Sequence, residues 1–165
     1  MIAAKNRILI LDFGSQYTQL IARRLREIKV YCEIYPCDAP LERIVEFRPS
    51  GLILSGGPYS VYDKNAPQPS QNFVDKFHIP ILGICYGMQY LAKIFGGAVI
   101  PAKKREYGRA WVHVRESYLL AGINGKLNVW MSHGDEIGKI PPNFKLTAVS
   151  ENHSPAIIED HKRKI

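Results

Sequence analysis

The sequence is poor in cysteine, with three in 165 residues, and it has no long apolar run. Cys32, Cys37 and Cys85 make an odd count without framework spacing, which excludes a disulfide-stapled secreted fold and favours free thiols in a reducing, cytoplasmic setting. The longest unbroken apolar stretches are short, such as Ile8–Leu11, so no membrane span is expected. The N-terminus has no extended apolar region and no small-residue cleavage site, so no secretory signal is expected either. Low-complexity tracts and internal repeats are missing, and 46% hydrophobic with 22% charged residues is an ordinary globular balance. No linker divides the chain, which reads as a single domain over 1–165.

One sign of charge is in excess, at a net +7. The cations are scattered: Arg23, Arg24, Arg26 and Lys29 fall along one expected helix, Lys103–Arg105 in an expected loop, and Lys162–Lys164 at the end. No nucleic-acid motif accompanies them and no aromatics interleave with them as a stacking platform requires. Solvated faces are the reading adopted, without nucleic acid or membrane as partner; a docking face for a partner domain would draw on the same excess.

What is present is a β-α rhythm. "RILILD" (7–12) is a strand, and Tyr17, Leu20, Ile21, Leu25 and Ile28 then recur on one helical face. "VYCEIY" (30–35) alternates as a strand, Pro40 to Phe47 reads as a short helix, and "LILS" (52–55) as the next strand. Gln71 to Phe77 is a candidate helix, "IPILGI" (79–84) a strand, and "MQYLAKIF" (88–95) a helix capped by Gly96-Gly97. The expected fold class is α/β: a three-layer, flavodoxin-like, mostly parallel sheet with helices on both faces. After Gly97 the pattern changes to "AWVHV" (110–114), "LNVWM" (127–131), "KLTAVS" (145–150) and "AIIED" (156–160), read as a small antiparallel extension.

Cys85 stands between two glycines in G-I-C-Y-G, where a strand gives way to a helix. Open α/β sheets collect functional groups at the carboxyl ends of strands. A nucleophile on so sharp a turn needs small neighbours, which Gly83 and Gly87 are. The helix N-terminus favours thiolate over thiol, and the Tyr86 N–H is placed to meet an oxyanion. A buried structural cysteine before a helix is the alternative. In "LSGGPYS" (54–60) the S-G-G start superficially resembles a phosphate loop, but Tyr59 stands where an Asp is needed, Pro58 removes a donor, and no Walker lysine follows. The Gly57 N–H could give a second oxyanion donor there, or the loop could be a plain turn.

Together "LDFGSQYTQLIARRLRE" (11–27), "LILSGGPYSVY" (52–62), "ILGICYGMQYLAKIFGG" (81–97), "REYG" (105–108) and "WMSHGDEI" (130–137) resemble the class I glutamine amidotransferase domain of GMP synthetases. The elbow indicates the superfamily, and "DFGSQYTQLIARR" with "WMSHGDE" the GMP synthetase branch. The resemblance implies hydrolysis of glutamine to glutamate, with ammonia delivered to an ATP-dependent synthetase that converts XMP to GMP. By position Cys85 would form a glutamyl thioester, Gly57 and Tyr86 would hold the oxyanion, and Gln89 with Ser132, His133, Gly134 and Asp135 would bind glutamine. The domain itself would need no cofactor or metal; ATP and Mg would belong to the synthetase partner, whether fused or separate.

The family's base is the His of a His-Pro-Glu motif, whose Glu orients it. His78, His113, His133, His153 and His161 are the five histidines here, and none precedes Pro-Glu. "EDHKRKI" resembles the turn leading toward that motif, so the expectation is a domain incomplete at its C-terminus, with little turnover and an alkylatable Cys85. His133 as a substitute base is set aside, because the resemblance assigns it to substrate. Three other readings share parts of the pattern. Another class I amidotransferase lacks the "DFGSQYTQLIARR" start. A cysteine peptidase of similar elbow has a His directly after the Cys, where Tyr86 stands. A non-catalytic binding module would keep the fold without the triad.

Overall fold

The structure, a computed structural model, describes residues 6–69, 73–123 and 125–165, without the side chains of residues 75 and 103. Two compact units are present, one of residues up to Tyr90 with Lys164, the other of Leu91–Arg163 with Ile165.

The first unit holds β1 (Arg7–Asp12), α1 (Thr18–Glu27), β2 (Tyr31–Pro36), α2 (Leu41–Phe47), β3 (Gly51–Leu54), β4 (Ile81–Gly83) and the start of α3 (Tyr86–Ile94). Its four strands are parallel in the order β2-β1-β3-β4. Alternation along β1 explains why the sheet is covered on both faces. Ile10 points to one side and packs with Cys32, Ile53 and Ala22 of α1. Leu9 and Leu11, fully buried, point to the other. On that second side Phe47 of α2 stacks on Tyr31, 6.2 Å between centroids, and Phe13 meets Tyr86 at 5.2 Å.

The buried stripe of α1 is Thr18 and Ala22 with Ile21 and Leu25 against the core. This corrects the expected face, because Tyr17, Leu20 and Ile28 are exposed. A small residue, Ala22, is what lets the helix lie close to the sheet, and a pattern that counts only large apolar residues passes over it. The cations Arg23 and Arg24 pair with Glu27 on the exposed face at 3.2 and 2.7 Å, contacts that add little stability in solvent. Of the helix expected at Gln71–Phe77, residues 71 and 72 lie outside the described residues, and Val74–Lys76 form a single 3-10 turn. The Lys164 carbonyl accepts a hydrogen bond from Ile81 N–H of β4 at 2.9 Å.

The second unit is an antiparallel sheet in the order β6-β5-β7-β8, built from β5 (Ala98–Val114), β6 (Gly125–Lys139), β7 (Lys145–Ser150) and β8 (Pro155–Glu159). It is a sheet in its own right, with as many strands as the parallel one, where a small extension was expected. Its core is Val112, Val114 and Ala148 with Leu127, Val129, Met131 and Ile157. Gly96, at φ +84°, ends α3, and Gly97 N–H returns to the Ala92 carbonyl at 2.8 Å, the glycine cap expected.

The expected loop at Lys103–Arg105 is instead part of β5. From Pro101 to Glu106, β5 advances by five positions while β6 moves by only two, from Asp135 to His133. The surplus residues form a bulge, which tolerates a proline and a run of cations that a regular ladder would disfavour.

Glu159 anchors the turn between β5 and β6. Its carboxylate accepts from Ser117 Oγ at 2.5 Å, Tyr118 N–H at 2.9 Å, Leu119 N–H at 3.3 Å and the His161 ring at 2.9 Å. Burial alone would raise its pKa, but these donors outweigh it and hold the group at about 2. A depressed carboxylate contributes stability that is complete above its unfolded value and disappears as pH falls through the folded one. The unit should therefore lose on the order of 3 kcal/mol between about pH 4.5 and pH 2. Acid titration followed by circular dichroism should show this loss in the native chain, and Glu159→Gln should lack most of it.

Candidate active site

The carboxyl ends of β1, β3 and β4 converge on Cys85. Ile84 N–H bonds the Leu54 carbonyl at 2.9 Å, and Gly87 N–H bonds the Ser55 carbonyl at 3.1 Å, so the β4–α3 turn is tied to the end of β3. Cys85 itself sits in the left-handed region at φ +49°, a conformation that costs a side-chain-bearing residue about 1–2 kcal/mol. Its carbonyl accepts Gln89 N–H at 3.0 Å and so opens α3.

The two flanking glycines work by close approach. A Cβ on Gly83 would stand 2.7 Å from the Gly87 carbonyl carbon and Met88 nitrogen, and one on Gly87 only 2.4 Å from the Leu54 carbonyl oxygen. At Gly56 a Cβ would meet Ser15 Oγ at 3.4 Å and the Cys85 Cβ at 3.6 Å, so this glycine lies directly beside the thiol-bearing residue. Gly57 is pressed on the chain just after β1, where a Cβ would fall 2.6 Å from the Phe13 carbonyl oxygen.

A polar network that motif reading passed over shapes this end of the sheet. Asp12 Oδ1 accepts from Gly14 N–H at 3.0 Å, Ser15 N–H at 3.3 Å and Thr18 Oγ1 at 2.6 Å. Fully buried Ser55 accepts Phe13 N–H at 2.9 Å and donates to the Gly56 carbonyl at 2.8 Å. Asp12 thereby folds the β1–α1 turn and holds Ser15 next to Gly56. An Asp at a strand end two residues before a glycine is the sequence signal for such an Asx turn.

Burial pushes the Cys85 thiol above its ordinary pKa. Desolvation disfavours the thiolate, and it opposes the pull toward thiolate expected of the helix N-terminus. Tyr86 is buried, with its hydroxyl donating to the Pro67 carbonyl at 2.7 Å and its own pKa raised by burial to about 12. Its side chain is thus structural, and only its main chain lies at the turn. Gln89 is buried one helical turn on.

The remaining candidates lie in the second unit, on β6. Ser132, His133, Gly134 and Asp135 form extended strand paired to β5. His133 Nε2 stands 3.3 Å from Glu106 Oε2, and Asn152 Nδ2 donates to Glu106 Oε1 at 2.8 Å. Glu106, almost fully buried, engages His133 from across the ladder.

The model for the family "Glutamine amidotransferase class-I" matches residues 9–165. This chain belongs to the class I glutamine amidotransferases. Among curated members, GMP synthase [glutamine-hydrolyzing] from Elusimicrobium minutum is 53% identical over 162 residues, 96% of this amidotransferase chain and 31% of that protein. The enzyme of the same name from Carboxydothermus hydrogenoformans is 47% identical, over 97% of the chain and 31% of its own length. The chain thus spans about a third of these relatives and matches the amidotransferase part of GMP synthase. The crystal structure of a GMP synthase subunit from Thermoplasma acidophilum superposes with a TM-score of 0.83 at 30% identity, covering 97% of this chain and 80% of that one. A glutamine amidotransferase from Thermotoga maritima, at 23% identity, shares the fold with a TM-score of 0.74 over 95% of this chain and 72% of its own.

Proposed function

We propose that the chain is the glutaminase domain of a GMP synthase, with Cys85 as nucleophile. The sulfur adds to the glutamine amide carbon, the oxyanion is held by the N–H groups of Gly57 and Tyr86, and collapse releases ammonia and leaves a glutamyl thioester for water to cleave. Gln89 and the segment Ser132, His133, Gly134 and Asp135 bind the glutamine. The observation that carries this reading is the strained, glycine-flanked Cys85 at φ +49° where β4 enters α3. A residue held in that conformation, with glycines whose every substituent would strike backbone, is costly to keep without a task. The strand order β2-β1-β3-β4, with helices against both faces, supports the three-layer, flavodoxin-like description. The family match running unbroken over 9–165 supports one functional domain.

Ammonia would pass to an ATP- and Mg-dependent synthetase acting on XMP, which corresponds to the two-thirds of the curated relatives that this chain does not span. The domain needs no cofactor of its own, and its free thiols fit a cytoplasmic enzyme. The general base that the resemblance implies, a His followed by Pro-Glu, is not among these residues. The alternative is a non-catalytic module on the same fold, in which burial simply keeps the Cys85 thiol protonated.

Glutamate release decides between the two. The 165-residue chain should turn over glutamine at least 100-fold more slowly than a chain extended through a His-Pro-Glu segment, a loss typical of removing a general base. Cys85→Ser should silence the extended chain. Unchanged activity in Cys85→Ser would remove Cys85 as the nucleophile, and no gain on extension would leave the module reading standing.

A further inference from the structure

We infer that the Tyr86 hydroxyl is a positioning group for the oxyanion site, latching the segment that carries the Gly57 N–H to the helix start that carries the Tyr86 N–H. The inference rests on the reading of those two N–H groups as the oxyanion donors. They belong to separate stretches of chain, Gly57 just after β3 and Tyr86 at the first residue of α3. Two donors serve one oxygen only while their spacing is kept, so the two stretches have to be held together.

From Gly57 to Pro69 the chain forms neither helix nor strand. Bonds within it are local turns. Asp63 N–H meets the Ser60 carbonyl at 3.1 Å, Ala66 N–H the Asp63 carbonyl at 3.1 Å, and Ser60 N–H the Asp63 carboxylate at 2.9 Å. Such turns shape a loop without fixing it to the sheet. Val61 is buried, while Tyr59 and Tyr62 are exposed. At the start of the segment Gly57 lies against Phe13, where a Cβ would fall 2.6 Å from the carbonyl oxygen.

Tyr86 closes the arrangement from the other side. Its ring stands 5.2 Å from the Phe13 ring, and its hydroxyl donates to the Pro67 carbonyl at 2.7 Å. Phe13 thus meets Gly57 through its main chain and Tyr86 through its ring. Residue 86 presents its own N–H at the elbow, and its side chain grips the Gly57 segment near the far end. A phenylalanine would fill the same space and keep the ring contact. What the oxygen adds is the bond to Pro67. With a pKa of about 12 the hydroxyl remains a donor across the neutral range.

The aldehyde 5-oxopentanoate has the carbon chain of glutamine, an aldehyde in place of the amide and no amine, and it reads the oxyanion site without a general base. The Cys85 sulfur adds to the aldehyde carbon, the thiol proton passes to the aldehyde oxygen, and that oxygen takes the place of the oxyanion. Protection of Cys85 from iodoacetamide, assigned by peptide mapping, gives the affinity. The alcohol 5-hydroxypentanoate, which cannot add, sets the non-covalent baseline. Tyr86→Phe should weaken the aldehyde adduct about tenfold, the upper worth of one neutral hydrogen bond. Its rate with iodoacetamide alone should be unchanged, because alkylation builds no tetrahedral oxygen. Tyr90→Phe, which takes a hydroxyl from another ring beside Phe13, should change neither reading. An undiminished adduct in Tyr86→Phe overturns the inference. So does an equal loss of adduct affinity and alkylation rate, which a side chain that only fills the core would give. In both cases an adduct in the native chain keeps Cys85 as nucleophile. No protection above the baseline in the native chain overturns both readings.

Discussion

Gly87→Ala should be the most damaging of the glycine-to-alanine substitutions. The new Cβ would fall 2.4 Å from the Leu54 carbonyl oxygen and 2.7 Å from the Leu54 Cβ. Neither neighbour can rotate away, because Leu54 is fully buried and its carbonyl accepts the Ile84 N–H that ties β4 to β3. The α3 N-terminus would have to lift off the sheet, a rearrangement costing about 3 kcal/mol and lowering the melting temperature on the order of 10 °C. Because Cys85 sits two residues before Gly87, the same shift should disturb the thiol. Gly108→Ala is the matched control. Gly108 adopts φ +94° with nothing within 4 Å of a Cβ, so it costs backbone strain without collision, roughly 1 kcal/mol. Thermal melts of the two variants separate the effects, and a Gly87→Ala protein melting as high as Gly108→Ala would mean that the close packing of α3 on β3 is wrong.

That contrast shows which parts of the molecule could be read from sequence. The elbow was legible because strand, glycine, cysteine, glycine and helix leave one way to fold, and the requirement for small neighbours is local. The parallel strands were legible for the same reason, since buried apolar runs between glycine and proline stops have few alternatives. Beyond Gly97, β7 and β8 were legible nearly in full, but of β5 and β6 only the regular halves could be seen. Pro101, the cations at 103–105 and Gly108 hide the first part of β5, because a long irregular strand is stabilised by its partner β6 rather than by its own propensities. The role of Ser55 was also hidden, whereas the turn that Asp12 folds has a local signal. Ser55 acts through hydrogen bonds that join segments some 40 residues apart, as in the Phe13–Ser55 contact, and no local pattern announces such a pair. The electrostatics of Cys85 could not be read either: the helix N-terminus was visible in the sequence, the depth of burial was not.

That burial leads to the second large effect, the pH dependence of Cys85 reactivity. Desolvation raises the thiol pKa, so folded chain at neutral pH holds less thiolate than a free cysteine, which itself has at most a few per cent. Alkylation by iodoacetamide should then climb about tenfold per pH unit from 7 to 9, with its midpoint above that of free cysteine. Peptide mapping assigns the signal to Cys85, because Cys32 and Cys37 are the more buried thiols. A plateau below pH 8 would show that the α3 N-terminus outweighs burial. The expected result has a mechanistic consequence. A thiol kept protonated by its surroundings is protected from adventitious oxidation and waits for a base to take its proton. Extension of the chain through a His-Pro-Glu segment should therefore move the midpoint down and raise the rate at pH 7 by about 100-fold. A midpoint unchanged on extension would mean that the base does not act on Cys85, and with it the proposed thioester chemistry would lose its first step.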